Sequence, residues 1–190
     1  TAGDEIFVNA TINNTNSTTG GVYFNAANTS DKVVFDTNGK VIVNNVYQLQ
    51  WINQAVRGKY ELGSNIDASV TSSWNSGAGF KPLGHELNSF RGSFDGMGHT
   101  ISDLFIDRPT EDYVGLFGYA NVGSMIQKVG LMNVDITGNA FTGGLVGMNT
   151  AGSIKYSFAT GRVKGTLAVG GLVGALIGLS TSGSIMDSYS

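Results

Sequence analysis

Few groups in this sequence could carry chemistry. There are two histidines, His85 and His99, fourteen carboxylates and no cysteine. His99 closes the run Asp95-Gly96-Met97-Gly98-His99. An Asp–His pair suits a metal site or acid–base work. A metal needs three or four converging ligands, however, and His85 is the only other imidazole. The favoured reading is a tight turn in which Asp95 and His99 tie down backbone groups. Asp103, Asp107, Glu111 and Asp112 gather around Arg108-Pro109. Calcium takes six to eight oxygens from one compact loop, and no D-x-D-x-D-G loop is present, so these residues read as a solvated turn. Glycoside hydrolysis uses two carboxylates about 5–10 Å apart. Asp67 and Asp95 are the pair to test for it. Against it, acidic residues do not recur on one strand of successive repeats, and beyond residue 112 only Asp135 and Asp187 remain. Neither G-x-S-x-G nor H-E-x-x-H occurs. The glycine blocks are not phosphate loops, since no Gly-Lys-Ser/Thr follows them. The expectation is no enzyme, no catalytic residue, no metal and no cofactor.

Two other features could act at a surface. Trp74 and Phe80 fall in a segment, residues 68–87, that reads as an excursion, and loops on a rigid scaffold carry function. They are the candidate contact residues. Asn9, Asn13, Asn16 and Asn28 each begin an Asn-x-Ser/Thr triplet and are candidate glycosylation sites. The competing reading takes them as ordinary corner residues.

Composition narrows the class. Gly contributes 28 of 190 residues, about twice the usual 7%. Hydrophobic residues are 41% and charged residues 13%, too apolar and too weakly charged for a disordered chain. Two prolines without a G-X-Y period exclude collagen. No apolar run approaches the roughly 20 residues of a membrane span, so no membrane insertion is expected. The net charge of −3, with no basic stripe, argues against nucleic acid. Without cysteine there is no disulfide framework. The length suits one domain, and the chain reads as a piece of something longer.

The positioning elements follow from repeats. Val114-Gly-Leu-Phe-Gly118, Gly143-Gly-Leu-Val-Gly147 and Gly170-Gly-Leu-Val-Gly174 nearly match. Each is followed by Gly123-Ser-Met-Ile, Gly152-Ser-Ile-Lys or Gly183-Ser-Ile-Met. A third phrase lies between them, Asn133-Val-Asp-Ile-Thr-Gly138 and its counterpart from Ala159 to Gly165. Three segments of about five residues, rich in Val and Ile and punctuated by small residues, are too short for helices. The alternation of Ile154, Tyr156 and Phe158 with Lys155 and Ser157 reads as one strand. Glycine is expected to supply positive φ at the corners. The pattern predicts an all-β, right-handed parallel β-helix (β-solenoid) with three short strands per coil. Leu116, Leu145 and Leu172 would form one internal ladder and Ile126, Ile154 and Ile185 another. Seven or eight coils at about 4.8 Å each would make a rod about 35 Å long.

Upstream, residues 7–12, 21–24, 32–35 and 40–43 read as strands, with a hairpin or corner turn at 36–39. One helix is expected at about 46–57, capped by Asn45, with Gly58 just past its end. A strand at 60–63 follows. The whole, 1–190, reads as one fragment with stalk-like coils at 1–45, a lead-in with helix and loop at 46–112, and repeats at 113–190.

The run Phe90-Arg-Gly-Ser-Phe-Asp-Gly-Met-Gly-His-Thr-Ile-Ser-Asp-Leu-Phe-Ile106 resembles the phrase that precedes GLUG repeats in bacterial surface proteins. The three glycine blocks are similar to the GLUG motif itself. Residues 60–67 and 79–84 are similar to the lead-in of the same proteins. Residues 1–45 resemble the stalk of filamentous-haemagglutinin-like adhesins. The resemblance implies a two-partner secretion exoprotein of Gram-negative bacteria, exported through an outer-membrane secretion barrel and secreted or displayed at the cell surface. It implies a monomeric, rod-like attachment segment whose partner is a host-cell receptor, a glycan or a matrix protein. The alternatives are a structural spacer of a large surface protease or contact-dependent toxin, and capture of a host iron or haem carrier protein.

Overall fold

Runs of three to five β-branched and aromatic residues, bounded by Gly, Asn and Ser, favour short extended segments whose edges must pair elsewhere. In the computed structural model, which describes residues 5–16, 21, 22, 24, 33–177, 184–186 and 188–190, they do so in parallel. Every strand pair among the described residues is parallel, and the isolated antiparallel bridges are Gly79–Ile106 and His85–Asn88. The protein is thus mainly β, built of parallel sheets.

The largest sheet has seven strands. Its order is Ser184–Met186, Ser153–Lys155, Met125–Gln127, Ser93–Asp95, Lys59–Leu62, Lys40–Val43 and Thr11–Asn13. A second sheet joins Phe158–Lys164, Gly130–Thr137, Thr100–Ser102 and Ile66–Asp67, with Phe105–Asp107 also paired to Gly130–Thr137. A third holds Phe117–Ala120, Val146–Thr150 and Val173–Ile177, and a fourth Ala140–Gly143 and Leu167–Gly170. Ile6–Val8 pairs with Val33–Phe35. Through the repeats, the chain visits the first, second, fourth and third sheets in turn and then starts again. One repeat therefore carries four strands (Met125–Gln127, Gly130–Thr137, Ala140–Gly143 and Val146–Thr150), not three. The extra strand, Ala140–Gly143, lies between the phrase ending at Gly138 and the glycine block, which it overlaps only at Gly143.

Register stacks like on like. In the first sheet Val41, Tyr60, Phe94, Ile126 and Ile154 are successive partners, all buried. Ile12 pairs with Val41 at one end, and the backbone of Ile185 pairs with Ile154 at the other. Ile66, Ile101, Leu131 and Ala159 form a second buried row. Phe117, Val146 and Val173 are partners in the third sheet, and the expected trio one residue earlier, Leu116, Leu145 and Leu172, is buried throughout. Each large aliphatic or aromatic side chain buried this way contributes about 1.5–3 kcal/mol. One apolar core runs from Val41 to Leu172. Tyr60 satisfies its hydroxyl inside it by donating to the Ala55 carbonyl at 2.6 Å, and burial pushes its phenol pKa well up.

Glycine turns some of the corners as expected, Gly98 and Gly123 among them with φ of 83° and 88°, but side-chain-bearing residues turn others. Tyr113, Phe141 and Ala168 have φ of 60°, 55° and 51°, and Lys128 and Tyr156 have 52° and 51°. Tyr156 thus sits in a corner, exposed, and divides the expected strand into Ser153–Lys155 and Phe158–Lys164. None of the block glycines Gly144, Gly147, Gly171 and Gly174 has positive φ. They are needed because the chain passes too close for a side chain. A Cβ on Gly144 would meet the Gly171 carbonyl oxygen at 2.3 Å.

The helix is shorter than its apolar spacing suggested. It spans Val46–Trp51 and tightens into a 3-10 turn at Ile52–Gln54. Asn45 caps it as expected, accepting from the Gln48 N–H at 2.8 Å. Gly58 is not its C-terminal residue: its N–H bonds to the Ala55 carbonyl, and its φ is not positive. Residues 36–39 make a corner, not a hairpin, since the flanking strands pair with different partners. The Asp36 carboxylate accepts from the N–H groups of Asn38 and Gly39. The expected strand at 7–12 is broken into Ile6–Val8 and Thr11–Asn13. Residues 21, 22 and 24 lie outside any strand, and residue 32 lies outside the described residues.

Candidate binding groove

The excursion leaves the second sheet at Asp67 and returns before residue 87. Asp67 accepts from the Ser69 N–H at 2.9 Å, a bond that lowers its carboxyl pKa. A 3-10 stretch, Ser69–Gly77, follows. At its end Asn75, Ser76 and Gly77 have φ of 51°, 58° and 90°. Two of these carry side chains in a conformation that costs them energy, and such strain persists only where the surroundings enforce it. The chain then rejoins the wall. Leu83 and Phe90 bridge in parallel to Phe117 and Ala120. Only the tip between them stands free, with Leu87 93% exposed.

This path lays Trp74 over the helix. Its ring lies 5.1 Å from that of Tyr47 and stacks at 6.3 Å on Phe80. Trp74 is half-buried, but Phe80 is wholly buried. Phe80 therefore cannot touch a partner; it supports Trp74 from beneath. Trp74 instead faces a groove of about 530 Å³ with Tyr47, Trp51, Gln54, Asn75 and Lys81. Two side-chain amides clamp the walls together. Gln50 donates to the Lys81 carbonyl at 2.9 Å and accepts from the Lys81 N–H at 2.8 Å. Asn53 donates to the Pro82 carbonyl at 3.1 Å and accepts from the Gly84 N–H at 2.9 Å. Tyr47 and Trp51 were missed from sequence. Their i, i+4 spacing beside the Leu49–Ile52 stripe was the available signal.

The other candidate residues separate. Asp95 accepts from the Met97 N–H at 2.8 Å and from Gln127 Nε2 at 2.6 Å. His99 turns away to Asn65 Oδ1 at 3.2 Å. The phrase is a turn, with Met97 and Gly98 at φ 54° and 83°. Asp67 lies in a different sheet from Asp95, register-paired with Ser102. The carboxylate opposite Asp95 is Glu61, which pairs with Lys40 Nζ at 2.8 Å. These residues line a second groove of about 530 Å³ with Lys59 and Gln127. In the acidic group, Arg108 binds Glu111 at 2.7 Å, Asp112 accepts from Asn139, and Asp103 accepts from Asn133. Among the described residues no three His, Asp or Glu side chains converge. Asn9, Asn13 and Asn16 are exposed, with Asn13 accepting from Asn44 at 2.8 Å. Asn28 lies outside the described residues.

Over 124 residues, 63% of the chain, the sequence is 43% identical to "Halomucin" of Haloquadratum walsbyi, and the match covers 1% of that protein. Over 76 residues, 38% of the chain, it is 34% identical to a protein of Evansella cellulosilytica named as a Gly-rich membrane protein, covering 9% of it. The chain therefore spans a small fraction of the length of the curated relatives it matches. No family model matches it, and no solved structure does so.

Proposed function

We propose that this chain is a stretch of a long, secreted or surface-displayed attachment protein, wound as a right-handed parallel β-helix with GLUG-type repeats. The observation that carries this reading is the register. Parallel pairing runs in register through seven strands, three of them from the repeats, and the outermost strands, Thr11–Asn13 and Ser184–Met186, each keep one edge that no described strand pairs. At 4.8 Å per strand, this sheet alone spans roughly 30 Å. A rod of this kind holds a contact site away from the surface that anchors it. The small share of each matched protein supports a segment of something much larger, and the membrane-protein name of one supports a place at the cell envelope. Attachment goes through the face bearing Trp74, to a receptor, glycan or matrix protein. Export through an outer-membrane barrel of a Gram-negative cell belongs to the same proposal.

The test is binding of the fluorescently labelled protein to intact cells and to matrix-coated surfaces. Saturable binding that Trp74→Ala reduces about tenfold supports attachment. Absence of binding at micromolar protein overturns it in favour of a spacer.

A further inference from the structure

We propose that the groove between the helix and the excursion binds a pyranose ring carrying a carboxylate, that is, an acidic saccharide. The inference rests on the attachment reading for its biological setting and names the chemistry of that site.

A sugar ring has an apolar C–H face and a rim of hydroxyls that both donate and accept. Tyr47, Trp51 and Trp74 supply the apolar surface, since aromatic rings combine large contact area with little entropy to lose. The polar groups divide into two sets. The amides of Gln50 and Asn53 are occupied in bracing the walls. Tyr47 Oη, Gln54 Nε2, Asn75 Oδ1 and Lys81 Nζ also belong to residues lining the groove, and among the described residues none of these four atoms has a partner. Donors and acceptors left open around an aromatic floor match a hydroxylated ring better than a purely apolar ligand. The volume of about 530 Å³ falls within the range of small-molecule sites. The charge is one-sided. Among the described residues Lys81 is the single ionised side chain in the lining, and no carboxylate of theirs lines it, so an anionic substituent gains a partner that a neutral sugar leaves unused.

The groove is also built in advance of any ligand. The amide clamps fix its width, and the left-handed run at residues 75–77 holds Trp74 over the helix. Pre-organisation of this kind removes ordering cost from binding.

Both tryptophans of the protein, Trp51 and Trp74, line this groove, so intrinsic fluorescence reports its occupancy directly. The probes are a galacturonic acid trimer and a galactose trimer of the same linkage, which differ at the carboxylate. The expected result is a saturable change in emission with the acidic trimer and binding about tenfold weaker with the neutral one. Lys81→Gln, a substitution at an exposed side chain, should abolish that preference while leaving the melting temperature unchanged. Trp74→Ala should weaken both ligands about tenfold. If it fails to fold by circular dichroism, Tyr47→Phe, which removes only the hydroxyl, takes its place and should still weaken binding. No emission change with either trimer up to about 10 mM overturns the proposal, as does equal binding of both trimers by the wild type and by the Lys81 variant. A response to a proline-rich peptide but to neither trimer also overturns it. Cell attachment that survives without saccharide binding sinks this inference alone, and saccharide binding without cell attachment sinks the attachment reading alone.

Discussion

Tyr113 and Phe141 stack face to face, ring centroids 5.3 Å apart and planes 10° from parallel, and both stand at left-handed corners of successive repeats. The strained backbone and the ring contact occur at the same pair of residues. Stacking across repeats offsets the cost of placing a bulky residue at positive φ. Phe141→Leu keeps an apolar side chain but loses the stack, and should lower unfolding free energy by about 1 kcal/mol in urea. An unchanged midpoint would mean that the ring pair contributes nothing beyond area.

The two kinds of glycine should respond differently to a methyl group. Gly144 has φ in the ordinary range, but its Cβ would lie 2.3 Å from a backbone oxygen. Gly123 has open space and φ of 88°. Gly144→Ala should cost about 3 kcal/mol or more, since backbone must move. Gly123→Ala should cost about 1–2 kcal/mol, the penalty of left-handed backbone. Thermal or urea melts of the two variants rank them.

Ser124 and Ser153 bury hydroxyl oxygens that have no partner among the described residues. A buried polar atom left unpaired costs stability, and replacing it with an apolar group of similar shape is neutral or better. Ser124→Ala should match or exceed the wild-type stability, by up to about 1 kcal/mol. A loss of similar size would reveal a bond that the hydroxyl makes in solution.

Asp67 titrates below its ordinary value of 3.8, chiefly because the Ser69 N–H bonds its charged form and secondarily through the Ser69 side chain. The sign follows directly. The fold favours the carboxylate, so its contribution is present above the unfolded pKa and is lost as pH falls through the lower folded value. A carboxyl carbon NMR titration should place the midpoint under 3.8. Ser69→Ala, which keeps the N–H, should raise that midpoint without restoring it fully.

Much of the interior was readable from spacing. Ile126 pairs with Ile154 where the repeat step places it, and Leu116, Leu145 and Leu172 are all buried one residue ahead of the register partners Phe117, Val146 and Val173, because in-register parallel pairing turns sequence period into spatial adjacency. The Asn45 cap was readable because its side-chain chemistry is local. The corners were not. Nothing in the types of Tyr113, Phe141, Lys128 or Tyr156 signals positive φ, and while Gly98 and Gly123 do take it, the glycines of the three blocks serve close approach instead. The groove escaped because it joins two segments about thirty residues apart, through amides of Gln50 and Asn53 whose partners are backbone atoms. Glu61 opposite Asp95 escaped too, since the lead-in lacks the even phrasing of the later repeats.

Side-chain bonds between repeats join residues 27 to 32 apart, Asp135 with Arg162 and Asn139 with Asp112 at 27, Asp103 with Asn133 at 30 and Asp95 with Gln127 at 32. Each such contact is made with the adjoining repeat, so an in-frame duplication of one repeat would reproduce the same neighbours on both sides. The gene can then lengthen or trim its product in increments of about 4.8 Å, and the Trp74 region would be carried nearer or farther without being redesigned.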